Sequence, residues 1–275
     1  MPPIMILGAM GAVFGVGLAL TSKAFEVKSD PRAALIRESL PGVNCAACGY
    51  TGCDGFAAAV AAGEAAPNLC PVGGPAVAAK IGEIMGTEVG EMEKNAARVH
   101  CAGYIEIRSE KYEYDGIKTC AAASATALHG GPSSCRYGCL GFGDCARACA
   151  YGAVFVRDGI AGVIASRCTA CGLCAKACPK KLISLEPARA SYAVLCKNKD
   201  RGAVARAICA ASCIGCMRCL KACQAGAITV ADSLASIDQS KCVRCGECER
   251  VCPQRSIAHC DCLKERELEK GQETA

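Results

Sequence analysis

The chain has 275 residues, of which 26 are cysteine and 30 glycine, with no tryptophan and only 4% aromatic residues. With so few large side chains, a conventional apolar core is expected to be small for this length. The formal charge is +5, but no dense basic run is present, which excludes a nucleic-acid surface and leaves the lysines and arginines to offset bound negative charge or to meet an acidic partner.

Residues 4–20 are an uncharged stretch of 17 residues ending at Thr21-Ser22-Lys23. That is just long enough for a transmembrane helix. Gly8, Gly11, Gly15 and Gly17 would let a second helix approach, Gly11 and Gly15 forming a G-x3-G pair. Met1-Pro2-Pro3 carries no side-chain charge, which argues against a cleaved signal peptide. Lys23, Lys28 and Arg32 follow the span and place the bulk of the chain in the cytoplasm. Residues 1–29 are therefore expected to be a membrane anchor and linker.

Residues 30–95 are expected to form a small α-rich domain. Cys45, Cys48, Cys53 and Cys70 follow the pattern C-x2-C-x4-C-x16-C. Four thiolates at these intervals can close round one 4Fe-4S cubane; a tetrathiolate zinc site is the alternative. The alanine-rich residues 56–66 suit a helix, ended by Pro71. A second amphipathic helix, without evident chemistry, is expected over residues 76–93.

Beyond this lies an internal repeat. Cys168, Cys171, Cys174, Cys178 and Cys242, Cys245, Cys248, Cys252 each spell C-x2-C-x2-C-x3-C, and Cys213, Cys216, Cys219, Cys223 repeat it with Gln224 in place of proline. Such spacing presents three thiolates to one cubane while the fourth cysteine reaches a neighbouring one. Disulfide frameworks do not favour these runs, so a disulfide-rich secreted protein is set aside. Short strands are expected after Cys149, Cys178, Cys223 and Cys252, with a hairpin turn at Arg157-Asp158-Gly159. The gaps Cys149–Cys168 and Cys223–Cys242 are both x18. Two tandem two-cluster ferredoxin-like modules result, over residues 96–187 and 188–260, before a charged tail at 261–275.

The crossed rule assigns Cys213, Cys216, Cys219 and Cys252 to one cluster and Cys223, Cys242, Cys245 and Cys248 to its partner. In the first module it assigns Cys149, Cys168, Cys171 and Cys174 to one, and Cys135, Cys139, Cys145 and Cys178, looser at C-x3-C-x5-C, to the other. Cys101, Cys120, Cys196 and Cys209 remain and are expected to hold a further cubane, while Cys260 and Cys262 stay unliganded. Six 4Fe-4S clusters would bring the assembled protein to roughly −7 and supply much of its cohesion, leaving the apo chain largely unfolded. His100, beside Cys101, is a weak candidate ligand; His129 and His259 carry less. No Walker loop or dinucleotide fingerprint occurs, so neither flavin nor NAD is expected on this chain.

The arrangement resembles the B subunit of the Rnf complex, in its cluster-rich form. The resemblance covers almost the whole chain and rests on the N-terminal apolar span, Leu40-Pro41-Gly42 leading into Cys45 and Cys48-Gly49, Gly52-Cys53-Asp54-Gly55-Phe56-Ala57, Cys70-Pro71-Val72-Gly73-Gly74 and Cys135-Arg136-Tyr137-Gly138-Cys139-Leu140-Gly141. It implies an α+β protein of a bacterial inner membrane, single-pass with its bulk cytoplasmic, serving an ion-translocating ferredoxin:NAD oxidoreductase. It further implies that electrons arrive from soluble ferredoxin and leave to an NADH/FMN-binding subunit and membrane subunits. The C-terminal module is expected to dock ferredoxin and the Cys45–Cys70 site to hand electrons on. Two other readings are a polyferredoxin subunit of another membrane complex such as a hydrogenase, and a structural zinc scaffold.

Overall fold

The computed structural model describes residues 3–24, 30–90, 93–125 and 130–259; His129, Cys260, Cys262 and the charged tail lie outside them. Pro3–Ala24 forms a helix of 22 residues, α1. The side chains of residues 3–7, 9, 19 and 22–24 fall outside the described set, so the expected anchor is only partly within it. Among the described residues no helix is long and apolar enough to cross a membrane.

Three helices make the next unit: α2 (Pro31–Ser39), α3 (Cys53–Ala61) and α4 (Gly74–Met85). Helix α2 opens on Asp30, whose carboxylate accepts the Arg32 backbone N–H at 2.9 Å and caps the first turn. Packing of the three helices buries Ile36, Phe56, Val60 and Ile81. Each is worth about 1.5–3 kcal/mol of burial. Helix α3 begins at Cys53, earlier than expected, and closes where the Glu64 N–H returns to the Ala59 carbonyl. Helix α4 stops well short of residue 93. Gly86 takes φ 66° and donates back to Glu83 and Gly82, a left-handed cap that β-carbon-bearing residues resist.

Among the described residues, the rest is built on four two-stranded antiparallel sheets. Strand β1 (Asn95–Val99) pairs with β4 (Ile183–Pro187), and β2 (Val154–Arg157) with β3 (Ile160–Val163). Strand β5 (Tyr192–Val194) pairs with β8 (Ile257–His259), and β6 (Ile228–Ala231) with β7 (Leu234–Ile237). The expected turn is present, with Asp158 and Gly159 both at positive φ, and Asp232-Ser233 repeats it between β6 and β7. Strands β2, β4, β6 and β8 are those anticipated after Cys149, Cys178, Cys223 and Cys252. Strands β1 and β5 were not, because they are short and β1 buries adjacent alanines, Ala96 and Ala97, which hides any alternation.

Short helices carry or abut the loop cysteines: α5 (Cys120–Ala125), α6 (Asp144–Arg147), α7 (Leu173–Ala177), α8 (Gly202–Ile208), α9 (Arg218–Ala222) and α10 (Glu247–Arg250). Between β1 and α5 runs a long, largely irregular segment stitched to its surroundings by isolated bridges, Arg108 to Cys209 and Glu110 to Ser133. The first module's core comprises Val99, Val154, Ile160, Leu182 and Ile183 together with buried Cys139, Cys145, Cys168 and Cys174. The second repeats this with Val194, Ile228, Ile257, Cys213, Cys219 and Cys248.

Candidate metal centres

The regular cysteine loops share one backbone path. The residue before the middle cysteine is left-handed (Ala170, Gly215, Arg244), and so is the residue after it, which caps the helix bearing the third cysteine (Gly172, Met217, Gly246). A left-handed residue also stands three positions past each fourth cysteine, at Gly152, Lys181, Gly226 and Arg255. This reversal turns backbone N–H groups toward sulfur. Ala97 and Ala170 donate to Cys168 Sγ at 3.3 and 3.4 Å, Ala153 to Cys149 Sγ at 3.3 Å, and Leu182 to Cys178 Sγ at 3.5 Å. Such bonds tune the potential of a thiolate-held cluster.

In the helical unit, left-handed Asn44 and Ala46 wrap the loop, and the Asn44 side chain accepts the Cys53 N–H at 2.8 Å. The Cys70 thiol is pushed up by burial and, more weakly, by the nearby Cys48 and Cys53 sulfurs, while Gly73 N–H donates to it at 3.4 Å. Cys149, Cys168, Cys171 and Cys174 line a common cavity. Cys213, Cys216, Cys219 and Cys252 line another. Beside it, Cys248 is pushed up to about 11, chiefly by burial, with Cys242 adding to the shift, and Cys223 packs against the same core.

The two irregular sites are grouped differently from the expectation, with Cys120 and Cys135 exchanged. Cys120, Cys139, Cys145 and Cys178 line one cavity; Cys101, Cys135, Cys196 and Cys209 line another. The cause is a carboxylate. Asp144, preceding Cys145, accepts the N–H groups of Cys120 and Ala121 at 2.9 Å each and so docks the start of α5 beside Cys145. Leu140 and Phe142 pack round α5 with Ala123 and Tyr114. Cys135 is drawn away instead: Ser134 bonds to Ser109, and Arg136 pairs with Asp200 at 2.9 Å, beyond Cys196. The signal for this lay in the odd C-x3-C-x5-C spacing, which separates Cys135 from its neighbours. Burial raises the thiols at both sites, Cys101 and Cys145 to about 12 and Cys196 to about 11.

His100 is not placed as a ligand. Its Nδ1 donates to the Val194 carbonyl at 2.8 Å, and its Nε2 lies 2.6 Å from Ser184 Oγ and 3.2 Å from a Glu186 oxygen. Both ring nitrogens are engaged in tying β4 to β5.

The sites run in single file. Lys176, on the helix carrying Cys174, donates to the Cys45 carbonyl at 3.1 Å, and Tyr151 lies near Cys171, Cys45 and Cys70. Cys139 N–H donates to Cys101 Sγ at 3.5 Å, and Cys213 N–H to Cys196 Sγ at 3.3 Å. Within each module the short helices join neighbouring sites, Cys174 to Cys178 and Cys219 to Cys223. All 24 described cysteines are unpaired thiols, and among the described residues no group of three or more His, Cys, Asp or Glu could hold a single metal ion. Thiols ringed round a cavity, with N–H groups aimed at sulfur, fit a cubane rather than one zinc ion held at about 2.3 Å from every sulfur.

Fold and sites together define a multicluster iron–sulfur protein of ferredoxin type. Residues 40–72 match an Fe-S cluster family, 161–184 the 4Fe-4S binding domain and 212–256 the 4Fe-4S dicluster domain. The chain is 44% identical over 93% of its length, and 77% of the relative's, to the B subunit of the Na+-translocating ferredoxin:NAD+ oxidoreductase complex of Acetobacterium woodii. It is 41% identical to the B subunit of the ion-translocating oxidoreductase complex of Methanosarcina acetivorans, covering 92% of this chain and 96% of that one. With the proton-translocating counterpart of Clostridium ljungdahlii the identity is 37%, over 92% and 90%. The chain belongs to the B-subunit family of ion-translocating (Rnf) oxidoreductase complexes.

Proposed function

We infer that this chain is the electron-transfer component of an ion-translocating ferredoxin:NAD oxidoreductase, taking electrons from reduced ferredoxin and relaying them through six 4Fe-4S clusters to partner subunits. The observation that carries the reading is the file of cysteine quartets, in which only Cys216 and Cys245, both in the second module, are exposed among the described cysteines. When bound, the clusters supply one-electron transfer. The chain's own residues hold them: Cys45, Cys48, Cys53 and Cys70 nearest α1; then Cys149, Cys168, Cys171 and Cys174; then Cys120, Cys139, Cys145 and Cys178. Cys101, Cys135, Cys196 and Cys209 bridge the modules, and Cys213, Cys216, Cys219, Cys252 with Cys223, Cys242, Cys245, Cys248 complete the file.

Soluble ferredoxin docks on the second module, where Met217, Arg218, Leu220 and Lys221 surround Cys216 and where Val243 and Arg244 flank Cys245, all exposed. Exposed apolar and basic side chains over a near-surface cluster suit an acidic carrier. At the other end, α1 anchors the chain in the membrane: its described side chains Met10, Val13, Phe14, Val16, Leu18 and Leu20 are exposed and apolar. The Cys45–Cys70 site then faces the membrane subunits, with hydride chemistry left to the NADH/FMN-binding subunit. The thiol geometry speaks against a zinc scaffold, and no observation favours a hydrogenase partner.

Replacing Cys53 by Ala in the intact complex tests the order. Ferredoxin-dependent NAD+ reduction is expected to stop while reduced ferredoxin still bleaches the second-module clusters. Unchanged coupled activity rejects the ordering.

A further inference from the structure

The quartet of Cys101, Cys135, Cys196 and Cys209 joins the two modules; Cys209 is buried and the other three are half-buried. A cubane on four thiolates is already negative, and reduction adds one electron and no counter-charge. Away from bulk water that extra charge is less well screened than at the exposed loops of the second module, which would raise a barrier in the middle of the file.

One buried cation stands against it. The Arg108 side chain is 5% exposed and lines the same cavity. Its Nη1 donates to the carbonyls of Cys139 at 2.6 Å, Gly159 at 3.2 Å and Gly103 at 3.4 Å. Its Nη2 pairs with Glu110 at 3.2 Å, and its buried Nε has no hydrogen-bond partner. Gly103 stands between Arg108 and the sulfurs: a β-carbon built on it would lie 3.2 Å from Cys209 Sγ, 3.8 Å from Cys101 Sγ and 4.0 Å from Arg108 Cβ. Of the other charges nearby, Asp200 pairs with Arg136, Lys180 donates to the Arg136 carbonyl and keeps its charge, and Lys197 also lines the cavity.

We propose that Arg108 is a potential-setting residue, whose buried guanidinium raises the reduction potential of the cluster held by Cys101, Cys135, Cys196 and Cys209 and so keeps the two modules in electronic contact. This rests on the relay reading above, and it assigns Arg108 a role beyond tying three loops together. The step concerned is the arrival of one electron at that cluster from its reduced neighbour, with no proton moved.

The test is a redox titration of the anaerobically purified full-length protein, followed by electron paramagnetic resonance, with iron and sulfide measured alongside. In Arg108→Gln the midpoint of one cluster is expected to fall while the others stay and iron and sulfide remain at the wild-type level. Arg108→Lys, which keeps the charge but not the fork, returns most of that shift. Glu110→Gln, measured at low ionic strength, moves the same midpoint upward by leaving the guanidinium uncompensated. Full cluster content with unmoved midpoints in Arg108→Gln overturns the proposal, as does a Lys variant that matches Gln. If Arg108→Gln fails to assemble its cluster, Glu110→Gln decides: an upward shift supports the role and no shift overturns it. A wild-type protein without iron and sulfide would instead sink the relay reading itself.

Discussion

In the second module the middle cysteines of the first and second loops, Cys216 and Cys245, are exposed; their counterparts in the first module, Cys139 and Cys171, are buried. The caps beneath are alike, with left-handed residues two before each third cysteine at Gly143, Gly172, Met217 and Gly246 and the same two-residue hairpin between the sites. What differs is cover. The helical unit sits over Cys171 through Tyr151 and the Lys176–Cys45 contact, and the long segment after β1 closes over Cys139 through Arg108. One loop design thus serves two tasks. Exposed, it meets a soluble carrier; enclosed, it passes charge inward.

The largest expected effect concerns the irregular sites of the enclosed module. Cys120→Ala/Cys139→Ala removes two ligands of one site, so iron and sulfide fall by one cubane's content. Cys135→Ala/Cys139→Ala strikes two sites and loses twice as much. The reverse result would restore the grouping by sequence spacing and break the assignment made from Asp144.

That grouping marks where the sequence stopped being legible. Spacing alone shows a cubane loop when its three thiolates fall within seven residues, as at Cys168, Cys213 and Cys242, because local backbone geometry decides the matter. It does not show partners chosen by tertiary contacts. Cys120 reaches Cys145 only because Asp144 caps α5, and Cys135 turns to Cys196 through Arg136 and Asp200. The four strands expected after cluster cysteines were visible for the same local reason, whereas β1 and β5 exist only through their partners β4 and β8. Arg108 was invisible: nothing in the sequence says that an arginine two residues before a glutamate, in an irregular segment, is buried.

The cover over Cys171 is next in size. Phe56 is 1% exposed and centres the helical unit. Phe56→Ala is expected to cost about 3–5 kcal/mol. Loss of the Cys45–Cys70 cluster on mild heating should then precede loss of the others, with Cys171 becoming reactive to bulky oxidants and the second module unchanged. Simultaneous loss of every cluster would mean that the units do not melt separately.

Charge comes third. Reversing Arg218 and Lys221 to Glu should slow ferredoxin-dependent reduction by about 10-fold or more at low ionic strength, with the effect shrinking as salt rises. Reversing Arg244 alone tests the second exposed loop. Equal rates in both variants would move the docking face off the second module and erase the functional meaning of its exposure.

The smallest effect compares two caps. Gly172 sits at φ 75°, and a β-carbon there would meet only Leu185 at 3.8 Å, so Gly172→Ala carries conformational strain alone, about 1–2 kcal/mol. Met217 occupies the equivalent position at φ 60° and already bears that strain. Met217→Gly should therefore slow thermal loss of visible absorbance, by a gain of less than about 1 kcal/mol once the added freedom of glycine in the unfolded chain is counted. The same change removes an exposed thioether beside Cys216, so KM for ferredoxin should rise. A stability gain joined to weaker docking is the outcome expected if this loop keeps a strained methionine for contact with a partner. A gain with unchanged KM would leave the methionine with no part in docking.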